Sequence, residues 1–355
     1  MSPLANARGS VPGPETTPSA RSRDRQGAGT TVAAVIPHWN RAGLLETLLQ
    51  NLRLQKRRFD RVIVVDNGST DNSAEVAARE GAEVVRLPRN LGFAAAVNRG
   101  VAVAADSGWV AILNNDVTLE PDWLETLLAA AQSAGVRFAA GKILQARDHS
   151  RIDGAWDEIS RGACPLRCGA GASDGPLWNQ PRKIRMAPMT ALLVERGLFQ
   201  ELGGLDERFE SYLEDVDFGL RCAVAGYGGV YAPSAIGYHE GSSTWGRWHP
   251  DSVRLLARNQ VLLAAKHFRA QKRWPILAGQ LLWGLVALRH GCGWSYLRGK
   301  WAGLRLAVPF SEDGRSPENV TAILTESERE IVRIQRQTGL ERYWRMYFLC
   351  VPPRP

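Results

Sequence analysis

Apolar and polar positions alternate in blocks through residues 31–135, and the blocks predict strands and helices in turn. Short runs rich in valine and isoleucine are typical of buried parallel strands, and four occur here: TVAAVIPHW, RVIVVDNG, AEVVRL and WVAILNND. Segments with apolar residues at helical spacing separate them, of which RAGLLETLLQNLRLQ is the clearest. This order predicts an α/β fold with a mostly parallel central sheet flanked by helices.

Local signals predict where these helices begin. Asn40 is expected to cap the first helix, and Asn72 together with Glu75 resembles a capping box for the second. Pro121 is expected in the first turn of the helix after the fourth strand.

The pattern changes after residue 144. Residues 145–185 are rich in glycine and are expected to form an irregular segment that covers the site. Beyond them, MAPMTALLVE predicts a strand, LFQELGGLDERF a short helix and turn, and LEDVDFGLRCAVAGY a helix. The segment GGVYAPSAIGYHE predicts a last strand, which ends near His239.

Three of the predicted parallel strands end in polar residues. His38 and Asn40 follow the first strand, Asp66 ends the second, and residues 114–116 end the fourth. Ligands of such sheets bind outside the carboxyl ends of the strands. We therefore expect these side chains to gather at one edge of the sheet.

Composition narrows the class of protein. Apolar residues make up 45% of the 355 residues and charged residues 23%, which excludes whole-chain disorder, collagen and coiled coil. Residues 1–30 carry no apolar stretch of the kind found in signal peptides, and they predict a disordered tail. Five dispersed cysteines favour a reducing compartment, so we expect a cytoplasmic location.

The excess positive charge lies near the C-terminus. Residues 252–311 contain ten Lys and Arg residues and no Asp or Glu, whereas the whole chain has a net charge of +8. This change in composition divides the chain into a domain at 31–250 and a basic, Trp-rich helical region at 251–355. The run WPILAGQLLWGLVAL is too short to span a bilayer but suits the surface of one.

Three functions of this basic region remain open. It could lie on an anionic membrane surface, which would make the protein peripheral on the cytoplasmic face, or form a subdomain packed on the core. It could also bind nucleic acid through its aromatic and basic residues. The long apolar runs between the charges argue against nucleic acid as a partner.

Several side chains are candidates for chemistry, each with a structural alternative. Asp116 could bind a hard divalent cation together with phosphate oxygens, or close a polar turn. Asp66 could accept from a base or ribose, or form an Asx turn. The helix that Asn90 and Gly92 open could bind a diphosphate at its free N–H groups. Asn98 would lie within it, where a packing hydrogen bond is the alternative.

A second group of candidates lies further along the chain. Glu214, Asp215 and Asp217 could supply a general base, or stabilise a helix N-terminus. A lone histidine such as His239 is usually a packing or surface residue. The sequence contains no GxxxxGK[ST], GxGxxG or GxSxG motif, which argues against P-loop NTPases, dinucleotide oxidoreductases and serine hydrolases of the elbow type.

Six segments in order resemble family 2 inverting glycosyltransferases of the GT-A nucleotide-sugar fold, most closely the bacterial rhamnosyltransferase-like branch. The segments are IPHWNR, VVDNGSTDNS, RNLGFAAAVNRG, ILNNDV, GGLDERFESYLEDVDFGLRCAVAGYG and YHEGSS. The resemblance covers roughly residues 31–268.

The resemblance implies a role for each matching residue. Asp215 is the expected catalytic base, with Glu214 as its neighbour, and Asp116 and His239 are the expected ligands of Mg²⁺ or Mn²⁺. The nucleotide sugar is expected to contact Pro37, Trp39, Asn40, Asp66, Asn90, Gly92, Asn98, Asn114 and Asn115. Asn114 replaces the first Asp of the family's DxD motif, and His38 stands where many members have a small or apolar residue.

The function implied is metal-dependent transfer of a sugar, such as rhamnose, from a nucleotide-diphosphate donor in cell-surface polysaccharide synthesis. The acceptor would be a saccharide or a lipid-linked saccharide. The alternative is a catalytically inactive module that binds a nucleotide sugar or a glycan. The presence of both Asp116 and Asp215 weighs against that alternative.

Overall fold

A computed structural model describes residues 30–241, 248–307, 317–339 and 341–354. Nearly all of the predicted N-terminal tail, and the two serines of the YHEGSS motif, lie outside the described residues.

The strands among these residues are β1 (Val32–His38), β2 (Arg61–Asp66), β3 (Glu83–Arg86), β4 (Trp109–Leu113), β5 (Val117–Leu119), β6 (Phe138–Gln145), β7 (Asp148–Gly154), β8 (Asp157–Ile159), β9 (Pro165–Arg167), β10 (Arg182–Ile184), β11 (Ala191–Glu195) and β12 (Gly229–His239). The helices are α1 (Ala42–Leu52), α2 (Ser73–Arg79), α3 (Phe93–Val103), α4 (Trp123–Ala134), α5 (Arg196–Glu201), α6 (Glu214–Val224), α7 (Pro250–His267), α8 (Arg273–Arg289), α9 (Gly293–Leu306), α10 (Pro317–Thr338) and α11 (Arg342–Cys350).

The four predicted parallel strands form one half of a central sheet in the order β4-β1-β2-β3. All seven residues of β1 are buried, because helices cover both faces of the sheet. The register pairs His38 with Asp66 at the ends of β1 and β2. The predicted α/β fold and the predicted edge of polar residues are confirmed in this half.

The other half of the sheet is mixed rather than parallel, because β11 runs antiparallel to both β4 and β6. β12 is parallel to β6, and its end pairs antiparallel with the short strand β5. That last pairing places His239, the final residue of β12, opposite Val117 and close to Asp116. A residue of the last strand thereby reaches the edge formed by the first four.

Residues 145–185 are more regular than their glycine content predicts. They contain β7, which pairs with β6, the hairpin β8–β9, and β10, which pairs with β12. The expectation of an irregular segment was wrong because these strands are only three to seven residues long, and β10 pairs with a strand far along the chain. Such short strands carry too little alternation to be recognised.

The helix starts also differ in detail from the predictions. Arg41 rather than Asn40 precedes α1, and the Asn40 side chain accepts a hydrogen bond from the Thr70 N–H instead. The capping box does not form, since Asp71 accepts the Ser73 N–H and the Asn72 side chain makes no capping hydrogen bond. Helix α4 begins at Trp123, two residues after Pro121.

Helices α7 to α11 follow the sheet, and α7 holds α6 through a buried ionic cluster. Asp217 of α6 is fully buried, with carboxylate oxygens 2.9 Å from Arg221 Nε, 2.8 Å from Lys266 Nζ and 2.7 Å from His267 Nε2. Burial raises the pKa of Asp217, but these partners outweigh it and hold that pKa well below its usual range. These contacts favour a structural role for Asp217 over the alternative that it supplies the general base.

Part of the basic charge after residue 251 thus lies inside the protein. Arg258 is buried against the loop before α6. The Lys266 side chain is 9% exposed and contacts Asp217, and Lys300 contacts Gln260. No helix among the described residues is long and apolar enough to cross a membrane. The predicted division at residue 250 stays a prediction, although Pro250 is also where α7 begins.

We expect Asp217→Ala to lower the free energy of unfolding by about 3–5 kcal/mol, because it leaves Arg221, Lys266 and His267 without the carboxylate that they share. Urea unfolding followed by circular dichroism measures this. Glu125, an exposed acidic residue in the first turn of α4, offers the matched control. Glu125→Ala should change the stability by less than about 0.5 kcal/mol. Equal effects of the two variants would contradict the structural role of Asp217.

Candidate active site

A cavity of about 790 Å³ lies at the carboxyl edge of the sheet. It is lined on one side by the segment after β6, and on another by the loop that precedes α6. Among the residues that line it are seven of the predicted site residues: Pro37, Asn114, Asn115, Asp116, Glu214, Asp215 and His239. The structure therefore brings the two carboxylates with predicted chemical roles, Asp116 and Asp215, into one cavity.

Asp116 and His239 meet because of the β5–β12 pairing. The Glu240 N–H donates to the Asp116 carbonyl, and His239 Nε2 lies 3.1 Å from Asp116 Oδ1. The other ring nitrogen of His239, Nδ1, lies 2.9 Å from Asp153 Oδ2. Burial lowers the pKa of His239, but the hydrogen bonds and charges of the two carboxylates raise it to about 9.

These side chains are suitable donors for a divalent cation. Among the described residues no group of three His, Cys, Asp or Glu side chains is arranged as a ready-made metal site. Mg²⁺ and similar ions, however, commonly take only one or two protein carboxylates and complete their shell with substrate phosphates and water. Asp116 and His239 lie side by side in the lining of the cavity and fit that mode of binding, in which the cation would take the place of the proton between His239 Nε2 and Asp116 Oδ1.

Asn115 is held by a chain of hydrogen bonds that ends at Asp71. Asn115 Nδ2 lies 2.7 Å from His38 Nδ1, and His38 Nε2 lies 2.7 Å from Ser73 Oγ. Ser73 Oγ in turn donates to Asp71 Oδ1. Because the amide donates to Nδ1, the chain requires a neutral His38 protonated at Nε2. Burial lowers the pKa of His38 to about 4, consistent with this neutral form.

Asp215 lies at the start of α6, where a charged side chain from the hairpin contacts it. Its Oδ1 accepts the Val216 N–H at 2.8 Å, and its Oδ2 lies 3.4 Å from Arg167 Nη2. The pairing of β8 with β9 places Arg167 opposite Asp157, whose Oδ1 is 3.6 Å from Arg167 Nε. Arg167 therefore bridges two carboxylates.

Glu214 differs from Asp215 in its surroundings. It is 6% exposed, and its Oε2 has no hydrogen-bond partner among the described residues. Burial, and then the charge of Asp215, raise the pKa of Glu214 well above its ordinary value. This direction favours the protonated form of Glu214, which argues against Glu214 as the base.

The loop before α6 is held in an unusual conformation. Glu210, Tyr212 and Leu213 all have positive φ angles, between 58° and 73°. Asn259 of α7 stabilises this loop, because its buried Nδ2 lies within 2.6–2.8 Å of three loop carbonyl oxygens. Residues held in this way often lie at functional sites, and here the strained loop leads directly into Asp215.

The N-terminus of α3 also binds this loop, which differs from the prediction made for Asn90 and Gly92. The Ala94 N–H donates to the Glu210 carbonyl at 2.9 Å, and the Phe93 N–H donates to Ser211 Oγ. These two groups are therefore not free for a diphosphate. Gly92 has φ of 91°, and a β-carbon there would lie 2.7 Å from the Glu210 carbonyl oxygen.

The remaining predicted residues lie outside the cavity lining. Asp66 accepts the Ser69 N–H, which is the Asx turn that the sequence left open. Asn98 exchanges hydrogen bonds with the backbone of Leu205, which is the packing alternative. Asn90 accepts the Gly92 N–H, and Trp39 is partly exposed beside Asn40 at the end of β1.

Asp153, Asp157 and Arg167 are site residues that the sequence analysis missed. All three belong to residues 145–185, and no motif there distinguishes them from other charged residues. The glycine at position 154 indicates a close approach of another side chain, since a β-carbon on Gly154 would lie 2.8 Å from Arg167 Cδ.

Comparisons with known proteins agree with this architecture. Residues 109–308 match the family described as "Glycosyl transferase family group 2", and residues 33–164 match "Glycosyl transferase family 2". The chain is 34% identical over 266 residues to the N-acetylglucosaminyl-diphospho-decaprenol L-rhamnosyltransferase of Mycobacterium tuberculosis (strain ATCC 25618 / H37Rv), covering 65% of this chain and 84% of the relative. It is 29% identical over 294 residues to the pre-mycofactocin glycosyltransferase of the same strain, and this match covers 82% of this chain and 58% of the relative.

Solved structures show the same fold at low identity. GalNAc-T7 with UDP, GalNAc and Mn²⁺ has a TM-score of 0.56 at 14% identity, and the match covers 76% of this chain and 54% of the other. The mannosyltransferase PcManGT from Pyrobaculum calidifontis, with GDP-Man and Mn²⁺, has a TM-score of 0.51 at 20% identity. This match covers 90% of this chain and 86% of the other.

The chain belongs to the family 2 glycosyltransferases, has their GT-A fold, and lies in the rhamnosyltransferase-like branch. The protein is thus a glycosyltransferase, as the sequence motifs predicted.

The neutral His38 predicts a pH dependence of stability. The pKa of His38 is about 6.5 in the unfolded chain and about 4 in the folded protein. The neutral histidine therefore makes its full contribution to the free energy of unfolding above pH 6.5, and this contribution declines as the pH falls towards 4. This shift corresponds to about 3 kcal/mol. His38→Gln removes the titration. The difference in unfolding free energy between wild type and variant should therefore shrink by most of that amount between neutral pH and the folded pKa. Parallel stability curves would show that His38 is not held neutral.

Proposed function

We propose that the protein transfers a sugar from a nucleotide-diphosphate donor to an acceptor hydroxyl, with inversion at the anomeric carbon and with a divalent cation. The observation that carries this proposal is the presence of Asp116 and Asp215 in one cavity of a family 2 fold. The two carboxylates have different partners, His239 for Asp116 and Arg167 for Asp215, which suits two different roles.

Asp116 and His239 would hold Mg²⁺ or Mn²⁺ together with the donor diphosphate. When bound, such an ion neutralises negative charge on the departing diphosphate as a Lewis acid. Two structural neighbours were solved with Mn²⁺ and a nucleotide or nucleotide sugar, which supports this assignment. Pro37, Asn114 and Asn115 line the same cavity and would contact the nucleotide sugar.

Asp215 would act as the general base. It accepts the proton of the acceptor hydroxyl while that oxygen attacks the anomeric carbon from the face opposite the diphosphate, in a single displacement. Arg167 would keep the carboxylate in place from the side of the hairpin. The strained loop would set its position from the other side, because its conformation determines where α6 begins.

A named relative supports a choice of donor and acceptor. The 34% identical relative is named as a rhamnosyltransferase acting on a decaprenol-linked N-acetylglucosamine, so we propose a rhamnose donor and a saccharide or lipid-linked saccharide acceptor in cell-surface polysaccharide synthesis. An acceptor of this kind would place the protein at the cytoplasmic face of an anionic membrane.

We expect Asp215→Asn to lower the transfer rate by roughly 10²–10⁴-fold, because an amide cannot accept the acceptor's proton. Affinity for the donor should stay within a few-fold of wild type. Nucleotide release in the presence of acceptor measures the rate, and calorimetry measures the affinity.

Glu214→Gln is the matched control, because the raised pKa of Glu214 favours its neutral form and an amide of the same size replaces it. This variant should retain most of the transfer activity. If Glu214→Gln loses as much activity as Asp215→Asn, the base has been assigned to the wrong member of the pair.

We expect Asp116→Ala to abolish the part of nucleotide-sugar affinity that depends on Mn²⁺ and to leave the metal-independent part. Titration calorimetry with dTDP-rhamnose, UDP-sugars and GDP-sugars, each with and without Mn²⁺, measures both parts. Wild type should bind dTDP-rhamnose most tightly when Mn²⁺ is present. Unchanged Mn²⁺-dependent affinity in Asp116→Ala would remove Asp116 from the metal site.

A further inference from the structure

The last helices of the described chain expose large apolar side chains in regular stripes. On α8 the stripe consists of residues that are 55–68% exposed: Trp274, Leu277, Leu281, Leu285 and Leu288. On α9 it consists of residues that are 59–72% exposed: Trp294, Leu297, Trp301 and Leu304. Met346 and Leu349 are exposed in the same way on α11. Intervals of three and four residues keep each set on one face of its helix.

The three stripes adjoin one another. At the start of α8, Trp274 Nε1 donates to the Cys350 carbonyl at the end of α11, next to Leu349. At its other end, Leu288 packs against Gly293, the first residue of α9. The stripe of α8 is thus close to α11 at one end and to α9 at the other, and we call the three stripes together the apolar platform. Isolated exposed leucines are ordinary, but a concentration of large exposed apolar side chains on adjoining helices marks an interaction site.

The platform is accompanied by positive charge. Seven basic residues of these helices and their caps are exposed: Lys272, Arg273, Arg289, Arg298, Arg305, Arg342 and Arg345. The sequence of residues 272–307 and 342–354 contains no Asp or Glu. Buried basic residues such as Arg258, which hold the loop before α6, do not contribute to this charge.

This combination fits an anionic lipid surface better than a second copy of the chain. Apolar side chains enter the boundary of the acyl region while basic residues meet the lipid phosphates, and tryptophan is enriched at that depth. Two copies that met through this platform would bring like charges together without any carboxylate from these helices to compensate them.

Helix α8 connects the platform to the cavity. Trp283 of α8 lines the cavity, together with Leu256 of α7. Trp283 also stacks on Tyr296 of α9, with ring centroids 5.8 Å apart. One apolar wall of the cavity is thus formed by a helix whose opposite side carries the longest stripe of the platform.

We propose that the apolar platform seats the protein on an anionic bilayer, and that the cavity receives a lipid-linked acceptor from this bilayer along the wall of Leu256 and Trp283. This inference rests on the proposed function, since it names the acceptor class and the surface that presents it. The helices lie on the membrane and do not cross it.

Co-sedimentation of the full chain with vesicles tests the proposal. Wild type should bind vesicles of phosphatidylcholine and phosphatidylglycerol at low salt, and bind pure phosphatidylcholine vesicles at least roughly tenfold more weakly. Leu281→Glu should lower the partition onto the anionic vesicles about tenfold or more, because it places a carboxylate in the stripe. Leu281→Trp should retain wild-type binding.

Leu54→Glu is the matched control, because Leu54 is 67% exposed and Leu281 68%, and Leu54 lies far along the chain from the platform, after α1. This control should bind vesicles as wild type does. Loss of binding in both Glu variants, or no binding by wild type, would overturn the proposal. So would self-association of wild type through the platform, detected by sedimentation velocity as a dimer that Leu281→Glu dissociates.

Calorimetry of donor binding separates this inference from the proposed function. Leu281→Glu should bind the nucleotide sugar with the affinity of wild type, since the substitution is outside the cavity. If wild type binds the donor but no vesicles, only the membrane inference fails. If wild type binds no nucleotide sugar, the proposed function itself fails.

Discussion

The site depends on how negative charge is compensated within one small cavity. Five carboxyl groups line this cavity: those of Asp116, Asp153, Asp157, Glu214 and Asp215. Like charges that share a partly buried cavity repel one another strongly. Three features of the structure reduce this repulsion. His239 lies between Asp116 and Asp153, and Arg167 lies between Asp157 and Asp215. The pKa of Glu214 is raised by burial and by the charge of Asp215, which favours its neutral form. One group of carboxylates is thereby left near an imidazole, and another near a guanidinium.

This division assigns the two halves of the proposed reaction to different elements of the fold. The Asp116 side is built by β5 and β12, so it is fixed by pairing within the sheet. The Asp215 side is built by the β8–β9 hairpin and by the strained loop before α6. That loop is held by α3 on one side and by Arg258 and Asn259 of α7 on the other. The first of the C-terminal helices is therefore part of the architecture of the site and not an appendage to it.

The local pattern of apolar and polar residues predicts much of the fold, but it predicts only part of the site. β1, β2, β3 and β4 are predictable because each is a short apolar run between clear helices. The sequence also singles out Asp116 and Asp215, because ordered motifs surround them, and the structure places both in one cavity. The antiparallel course of β11, and the partners of Asp116 and Asp215, depend on pairings between segments far apart in the chain. A local pattern does not encode such pairings.

The N-terminus of α3 illustrates the same limit. Its sequence predicts free N–H groups that would suit an anion, but two of them bind the loop before α6, where Ser211 is 118 residues beyond Phe93. The basic C-terminal region is a second example. Its composition shows an excess of charge, but only the structure separates the buried residues that hold α6 from the exposed ones beside the apolar platform.

The most direct test of the charge arrangement is anomalous diffraction from crystals soaked with Mn²⁺ and a nucleotide-sugar donor. We predict a manganese peak within coordination distance of an Asp116 oxygen and His239 Nε2, with the diphosphate on the same ion and Asp215 across the cavity from it. A peak held by Asp215 or Asp157 instead, with Asp116 still bonded to His239, would contradict the account.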